Sequence, residues 1–172
     1  VFDGSELDLY VLGGITAPAN TTLNIDFPDA CGSSTLSIYS FPELSLSSLA
    51  LTAPNSNIYL ASEEGNNPAI SLDHVSLSAG LAVNMTSYGD GGVAIANSSI
   101  SAGVESDVEI YTYNSGAGIS IANSSISAGD GLNFEAGTDS YNYDGTISLN
   151  SSSLDAGGGY LGLYGGSILI GN

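Results

Sequence analysis

The chain has 172 residues, of which eighteen are Asp or Glu, one is His and none is Lys or Arg, so its formal net charge at pH 7 is −18. Without basic side chains it cannot neutralise phosphate groups, which excludes nucleic acid binding and attraction to anionic lipid headgroups. The apolar content of 42% is enough for a folded core, and no apolar run reaches the about 18 residues that a membrane-spanning helix needs. The length predicts one domain over residues 1–172.

One tetrapeptide recurs along the chain: a branched apolar residue, a small polar residue, Ala, and then Pro or Gly. In the last copy Asp takes the place of the small polar residue. The six copies begin at Ile15, Leu51, Leu77, Ile100, Ile126 and Leu154. Their successive spacings are 36, 26, 23, 26 and 28 residues. A repeat with a period of roughly 20–50 residues indicates an array of stacked structural units.

The residues around the tetrapeptide repeat as well. In five copies apolar residues stand five and seven positions before it, and an alternating run such as 81–85 follows it. A period of two is typical of strands, in which alternate side chains share a face. Each unit therefore predicts three short strands, with turns at the Pro or Gly corner and at an Asn-Ser-Ser corner. The predicted fold is all-β: a β-solenoid, or flatter stacked β-arches, of about six coils with three short strands per coil.

The first spacing of 36 residues is about ten residues longer than the others. We predict an insertion at residues 28–43, either a hairpin or arm that leaves the solenoid or a longer loop. This stretch contains Cys31, the single cysteine. Cys31 is either a small buried side chain or a thiol that pairs with another molecule.

Neither end of the sequence shows the amphipathic pattern of a capping helix, and residues 167–172 read as an apolar strand. An uncapped coil exposes apolar side chains and unpaired backbone groups. We therefore predict open ends and a homopolymer in which subunits pair through their terminal strands. Val1 resembles the first residue of a processed chain, which predicts export and an extracellular location.

The acidic residues suggest one candidate cation site. Glu109 and Glu135 both lie nine positions after the first residue of their tetrapeptide. Stacked coils would place these two carboxylates on adjacent outward positions, where they repel because no Lys or Arg is present. Either the pKa of one carboxyl rises or a divalent cation such as Ca²⁺ bridges them. No other cofactor is expected.

His74, which follows Asp73, is the only histidine and the only side chain that could act as the base of a hydrolytic triad. It occupies a position where other coils carry the Asn-Ser-Ser corner, and the chain has no nucleophile elbow. We interpret it as a turn residue. A β-helix enzyme acting on polysaccharides would need paired carboxylates and a substrate groove, and we expect that the chain is not an enzyme.

Five Asn-X-Ser/Thr sequons are candidates for glycosylation. They are Asn20, Asn84, Asn97, Asn123 and Asn150. Asn97, Asn123 and Asn150 are predicted to occupy equivalent corners of successive coils. With so much Asn, Ser and Thr in the chain, roughly three sequons would arise by chance.

The identical nine-residue stretches 95–103 and 121–129, Ile-Ala-Asn-Ser-Ser-Ile-Ser-Ala-Gly, resemble the coils of parallel β-helix surface proteins such as adhesins. The open ends and the absence of trypsin sites also resemble the amyloid-like proteins that form tubular sheaths around filamentous methanogenic archaea. The second resemblance implies a structural protein that assembles into a protease-resistant fibre, tube or cell sheath. The first implies the alternative, an adhesin or glycan-binding surface module.

Overall fold

The computed structural model describes residues 6–12, 14–25, 34–64, 68–139 and 142–172, and all of its regular structure in these ranges is β-strand. The first ten strands are β1 (Glu6–Val11), β2 (Gly14–Asn24), β3 (Ser34–Ser40), β4 (Leu44–Ala53), β5 (Ser56–Ser62), β6 (Ile70–Asp73), β7 (Ser76–Ala79), β8 (Val83–Ser87), β9 (Val93–Ala96) and β10 (Ser99–Ser101). The others are β11 (Asp107–Thr112), β12 (Ile119–Ala122), β13 (Ser125–Ser127), β14 (Gly131–Glu135), β15 (Thr138–Asp139), β16 (Asn142–Tyr143), β17 (Thr146–Asn150), β18 (Ser153–Asp155), β19 (Tyr160–Tyr164) and β20 (Ser167–Gly171).

Apart from β15 and β16, which pair with each other in antiparallel register, the strands stack in three faces of a parallel β-solenoid. Face A is a seven-stranded sheet in the order β1-β3-β5-β8-β11-β14-β19. The other sheet bends at a corner into two faces. Face B contains the first half of β2, the first half of β4, and then β6, β9, β12, β17 and β20, while face C contains the second halves of β2 and β4, and then β7, β10, β13 and β18. The prediction of an all-β solenoid with three strands per coil and about six coils is confirmed.

The core consists of apolar columns that run along the solenoid axis, because register pairing places equivalent residues of successive coils one above the other. On face A one column contains Leu9, Ile38, Leu60, Met85, Ile110, Phe134 and Leu163. On face B one column contains Ile15, Leu46, Leu72, Ile95, Ile121, Leu149 and Ile170. The inner members are buried, and each fully buried side chain contributes about 1.5–3 kcal/mol to folding.

The register corrects the alignment of the first repeat. Ile15 pairs with Leu46 on face B, and Leu23 is the residue that pairs with Leu51 on face C. The tetrapeptide at Ile15 is therefore not equivalent to the other copies. Between Thr16 and Thr21 the register shifts, so that β2 carries extra residues relative to β4 at this corner.

The expected insertion at residues 28–43 is also corrected. Ser34–Ser40 forms β3, which lies inside face A between β1 and β5 and pairs with both in parallel register. For these residues the structure shows a rung of the solenoid and not an arm. Residues 28–33, including Cys31, lie outside the described part of the chain.

Glycine at the corner between faces C and A lets neighbouring coils approach closely. A Cβ atom on Gly103 would lie 1.9 Å from the carbonyl oxygen of Gly80. A Cβ atom on Gly80 would likewise lie 1.5 Å from the carbonyl oxygen of Pro54. The Gly at the end of these copies of the tetrapeptide therefore has a steric cause: a side chain at Gly80 or Gly103 would separate the coils.

Replacing Phe134 by Ala should leave a cavity in the fully buried column of face A and lower the free energy of unfolding by about 3–5 kcal/mol. The matched control is Val104→Ala, because Val104 is 86% exposed and its truncation should change stability by no more than about 0.5 kcal/mol. Chemical denaturation followed by circular dichroism measures both changes. Similar losses in the two variants would contradict a core located in these columns.

Candidate functional site

The last rung of the solenoid is formed by β18, β19 and β20, and no described strand pairs with its outer edge. Here we call this edge the lower edge, and the outer edge of β1 and β2 the upper edge. Apolar side chains at the lower edge are open to solvent: Leu161 is 50% exposed, Ile168 43% and Ile170 78%. Equivalent residues one or two rungs inward are buried. The described structure therefore ends on apolar columns that lack the next layer.

The upper edge has the same apolar columns but a different charge. Leu7, Leu9 and Ile15 pack on the core while remaining partly exposed. The outward positions of β1 include two carboxylates, Glu6 and Asp8. The strands β19 and β20 contain no charged residue. The two edges therefore differ in charge although their inward residues match.

The corner between faces B and C explains the repeated Asn-Ser-Ser sequence. The first corner residue adopts a left-handed backbone with φ of 48–55° in five coils: Ser48, His74, Asn97, Asn123 and Ser151. Asn is among the residues that tolerate this region best. The side-chain amide of Asn97 donates to Asp73 Oδ1 over 2.9 Å, and that of Asn123 lies 3.5 Å from Asn97 Oδ1. The amides thus form a ladder along the corner.

The second corner residue connects one coil to the next. Ser98 Oγ accepts a hydrogen bond from the backbone N–H of Val75 over 3.0 Å and donates to the carbonyl of Ala96. Ser124 Oγ accepts from the N–H of Ser98 over 3.0 Å and donates to the carbonyl of Ala122. At the bend these backbone groups have no partner in the hydrogen bonding of the sheet, and the buried serine hydroxyls satisfy them instead.

The third corner residue faces solvent and lines a shallow groove. Four exposed serines align in register on face C: Ser76, Ser99, Ser125 and Ser153. With the corner residues they line a groove of about 1030 Å³ that runs across six coils. Its wall presents hydroxyls and amides in a regular row, and His74 lies beside it.

His74 lies at this corner, as predicted, and its Nδ1 is 2.9 Å from Asp73 Oδ1. Both side chains are more than half exposed. The hydrogen bond from Asn97, together with the bond to His74, lowers the pKa of Asp73 below its ordinary value of 3.8.

Glu109 and Glu135 are both on the outer side of face A, but the same count from the tetrapeptide does not give them the same register position. Glu109 pairs with Asn133, and Glu135 pairs with Tyr111. The turn before β11 is two residues longer than the turn before β14, since the step from Ile100 to Val108 is eight positions and the step from Ile126 to Leu132 is six.

An amide separates the two carboxylates. Asn133 is 9% exposed, and its Nδ2 donates to Glu135 Oε1 over 3.0 Å and to the Tyr111 hydroxyl over 3.1 Å. Burial raises the pKa of Tyr111, and the charge of Glu109 adds to this, while the bond with Asn133 opposes it. Within the described ranges no group of three or more His, Cys, Asp or Glu is arranged to hold a metal ion. The register on which the bridging cation was predicted is therefore corrected, and the cation itself stays a prediction.

The sequons occupy different environments. Asn97 and Asn123 are exposed at equivalent corners. Asn150 is also exposed, but it pairs with Ala122 at the end of β17, so its predicted equivalence is wrong and Ser151 takes that position. Asn84 is half-buried in β8 between Tyr59 and Glu109. Asn20 is one of the residues of β2.

A row of tyrosines on the outer side of face A is the feature that the sequence analysis missed. Tyr10 and Tyr39 stack with ring centroids 5.1 Å apart and an interplanar angle of 14°. Tyr88 and Tyr113 stack at 5.2 Å and 4°. Tyr164 contacts Tyr143 at 5.4 Å. The tyrosines are visible in the alternating runs of the sequence, but which of them are neighbours depends on the pairing register of the strands.

Comparisons with protein-family models, with curated proteins and with solved structures gave no match for this chain. No helix long and apolar enough to cross a membrane is present among the described residues. The function proposed for the site therefore rests on its geometry and not on a related protein.

Substituting Ser124 by Ala should lower the free energy of unfolding by about 1–3 kcal/mol, because the buried N–H of Ser98 loses its acceptor. Ser125→Ala is the control, since this neighbouring hydroxyl is exposed and its loss should have little effect. Thermal or urea denaturation distinguishes the two. Equal midpoints would show that the corner hydroxyls do not connect the coils.

Asn97→Ala should raise the pKa of Asp73 towards 3.8, because the largest stabilising contact of the carboxylate is removed. The folded-state pKa lies below the unfolded value. The contribution of Asp73 to stability is therefore present above pH 3.8 and is lost as the pH falls through the folded value. Carbon NMR titration of the carboxyl measures this, with Asn123→Ala as the control. An unchanged pKa in Asn97→Ala would refute the assignment.

Proposed function

We propose that this chain is a structural extracellular protein that assembles with copies of itself into a fibre, tube or cell sheath through strand-to-strand stacking. The observation that carries the proposal is the lower edge, where a parallel sheet ends on exposed apolar columns. A strand edge of this kind presents backbone donors and acceptors as well as apolar surface to another chain. A second copy of the solenoid would pair these backbone groups and bury the apolar surface.

The charge of the protein limits which forces can join subunits. With eighteen carboxylates and no Lys or Arg, no Lys or Arg salt bridge can form between copies. Backbone ladders and apolar burial remain, and neither needs a basic partner. The same composition leaves trypsin-like proteases without a cleavage site, which suits a material exposed outside the cell.

The extracellular setting rests on the acidic, hydroxyl-rich surface and on the resemblance to sheath and β-helix surface proteins. Hydroxyl and amide side chains occupy the outward positions of the B–C corner, and carboxylates lie at turns. Such a surface keeps an assembly hydrated while its interior remains apolar.

A binding role is the second candidate, and the groove on face C favours it. Aligned exposed serines and corner amides offer hydrogen bonds at a regular spacing, which suits a neutral, hydroxyl-bearing polymer such as a glycan. An adhesin of this type would remain a dispersed monomer. Self-assembly is the preferred proposal because the groove contains no aromatic side chain among its described lining residues to stack on a sugar ring.

Replacing Ile170 by Asp tests the assembly directly. In the isolated molecule Ile170 is 78% exposed, so the fold should tolerate the change, whereas an assembled edge would bury an unpaired charge. A cost of about 3 kcal/mol per junction would raise the critical concentration for assembly roughly 100-fold. Sedimentation and negative-stain electron microscopy measure this concentration.

Val104→Asp is the matched control for Ile170→Asp. Val104 is 86% exposed at a turn on a middle rung, so this variant adds the same charge away from both edges and should assemble like the parent protein. Circular dichroism verifies that both variants fold. A parent protein that remains monomeric at all concentrations, or equal assembly of both variants, would contradict the proposal.

A further inference from the structure

We infer that the subunits join head to tail in one register, with the lower edge of one copy on the upper edge of the next, so that Tyr164 stacks on Tyr10 of the neighbour. The inference rests on the proposed self-assembly and specifies its geometry. The partner surface is a second copy of this chain. The resulting polymer is polar, since every junction joins unlike ends.

The apolar columns support this register. Leu161 and Leu163 end the two inward columns of face A, and Leu7 and Leu9 begin them. On face B the column that begins with Ile15 ends with Ile170. Adding one copy below another in parallel register places branched aliphatic residues on branched aliphatic residues in all three columns. The pairs repeat those already present between neighbouring coils.

Strand parity makes the register specific. A shift of one residue would turn the apolar set of the added strand outward. A shift of two residues would preserve the faces but would leave one apolar residue of each strand without its partner. The register that continues the columns is therefore the one that buries most apolar surface.

Charge selects head-to-tail association over head-to-head association. Two upper edges would bring Glu6 and Asp8 of one copy close to the same carboxylates of the other, with no basic residue to compensate. In the head-to-tail register Glu6 lies opposite Tyr160, and Asp8 lies opposite Gly162. No carboxylate then meets a carboxylate on face A. Contact between two lower edges avoids repulsion but ends after a dimer.

The tyrosines provide the most specific contact. Tyr10, Tyr39 and Tyr164 occupy one outward column of face A, through the register of its seven strands. Within the chain, Tyr10 stacks on Tyr39 at 5.1 Å, which is close to the spacing between strands. Tyr10 remains 78% exposed and Tyr164 45%. One further rung places the ring of Tyr164 against the open side of Tyr10.

On face C the join is incomplete. Face B continues one rung further than face C, because β20 follows β18 in the chain. In the inferred register one rung is therefore missing on face C between β18 and the second half of β2 of the neighbour. Faces A and B form the continuous part of the junction, and the experiment is directed at face A.

Oxidative coupling tests the register. Assemblies are treated with a peroxidase and hydrogen peroxide. Each peroxide removes one hydrogen atom from each of two phenols and becomes two waters, and the two rings join through a carbon–carbon bond. Covalent multimers should appear on denaturing gels, and mass spectrometry after cleavage at Glu should find a linkage between Tyr10 and Tyr164 that is two hydrogen atoms lighter than the separate peptides.

Tyr164→Phe should retain the stack and the assembly but decrease the yield of covalent multimers at least about tenfold, because Phe keeps the ring and cannot couple. Tyr113→Phe is the control: it removes the coupling partner of Tyr88 within the chain and should leave multimers unchanged.

The outcomes separate the two proposals. Sedimenting assemblies whose linkages join other tyrosines, or lack Tyr10 and Tyr164, would overturn this register while leaving self-assembly intact. Protein that does not sediment at any concentration would overturn both. A Tyr10–Tyr164 linkage between subunits that disappears in Tyr164→Phe would establish the head-to-tail junction.

Discussion

Parallel hydrogen bonding between successive coils sets the position of every strand in this solenoid. The register of each strand is fixed by the strand above and the strand below, so equivalent residues must recur once in every coil. Coil length is free to vary only at the turns, where the step from face C to face A differs between six and eight positions in neighbouring coils. Inward columns, corner ladders and outward rows all follow from this fixed register.

The lack of basic residues changes how carboxylates are accommodated. Amide and hydroxyl groups contact them where other proteins would use Lys or Arg: Asn97 donates to Asp73, Asn114 to Asp90, and Asn133 to Glu135. Neutral donors stabilise the carboxylate without adding charge, and they are short enough to fit a spacing of one strand. The abundance of Asn and Ser therefore has an electrostatic reason besides its role at corners.

The ends of the described solenoid combine these two features. Their inward residues match, because they belong to the same columns, but their outward residues differ, because acids are present on the first rung of face A and absent from the last. A repeated structure with unlike ends has a direction. Strand-to-strand growth along that direction would bury the columns without bringing carboxylates together.

The order of residues alone predicts the all-β class, the three strands per coil and the apolar columns, because it shows a period of two within strands and a period near 26 between coils. It did not determine which copy aligns with which. Ile15 begins a copy of the tetrapeptide but lies on face B instead of face C, and Glu109 and Glu135 have the same count from the repeat but different partners. The lengths of the turns and the register shift in β2 decide these alignments, and both depend on how the coils pack in three dimensions. The tyrosine row likewise exists only once the register is fixed.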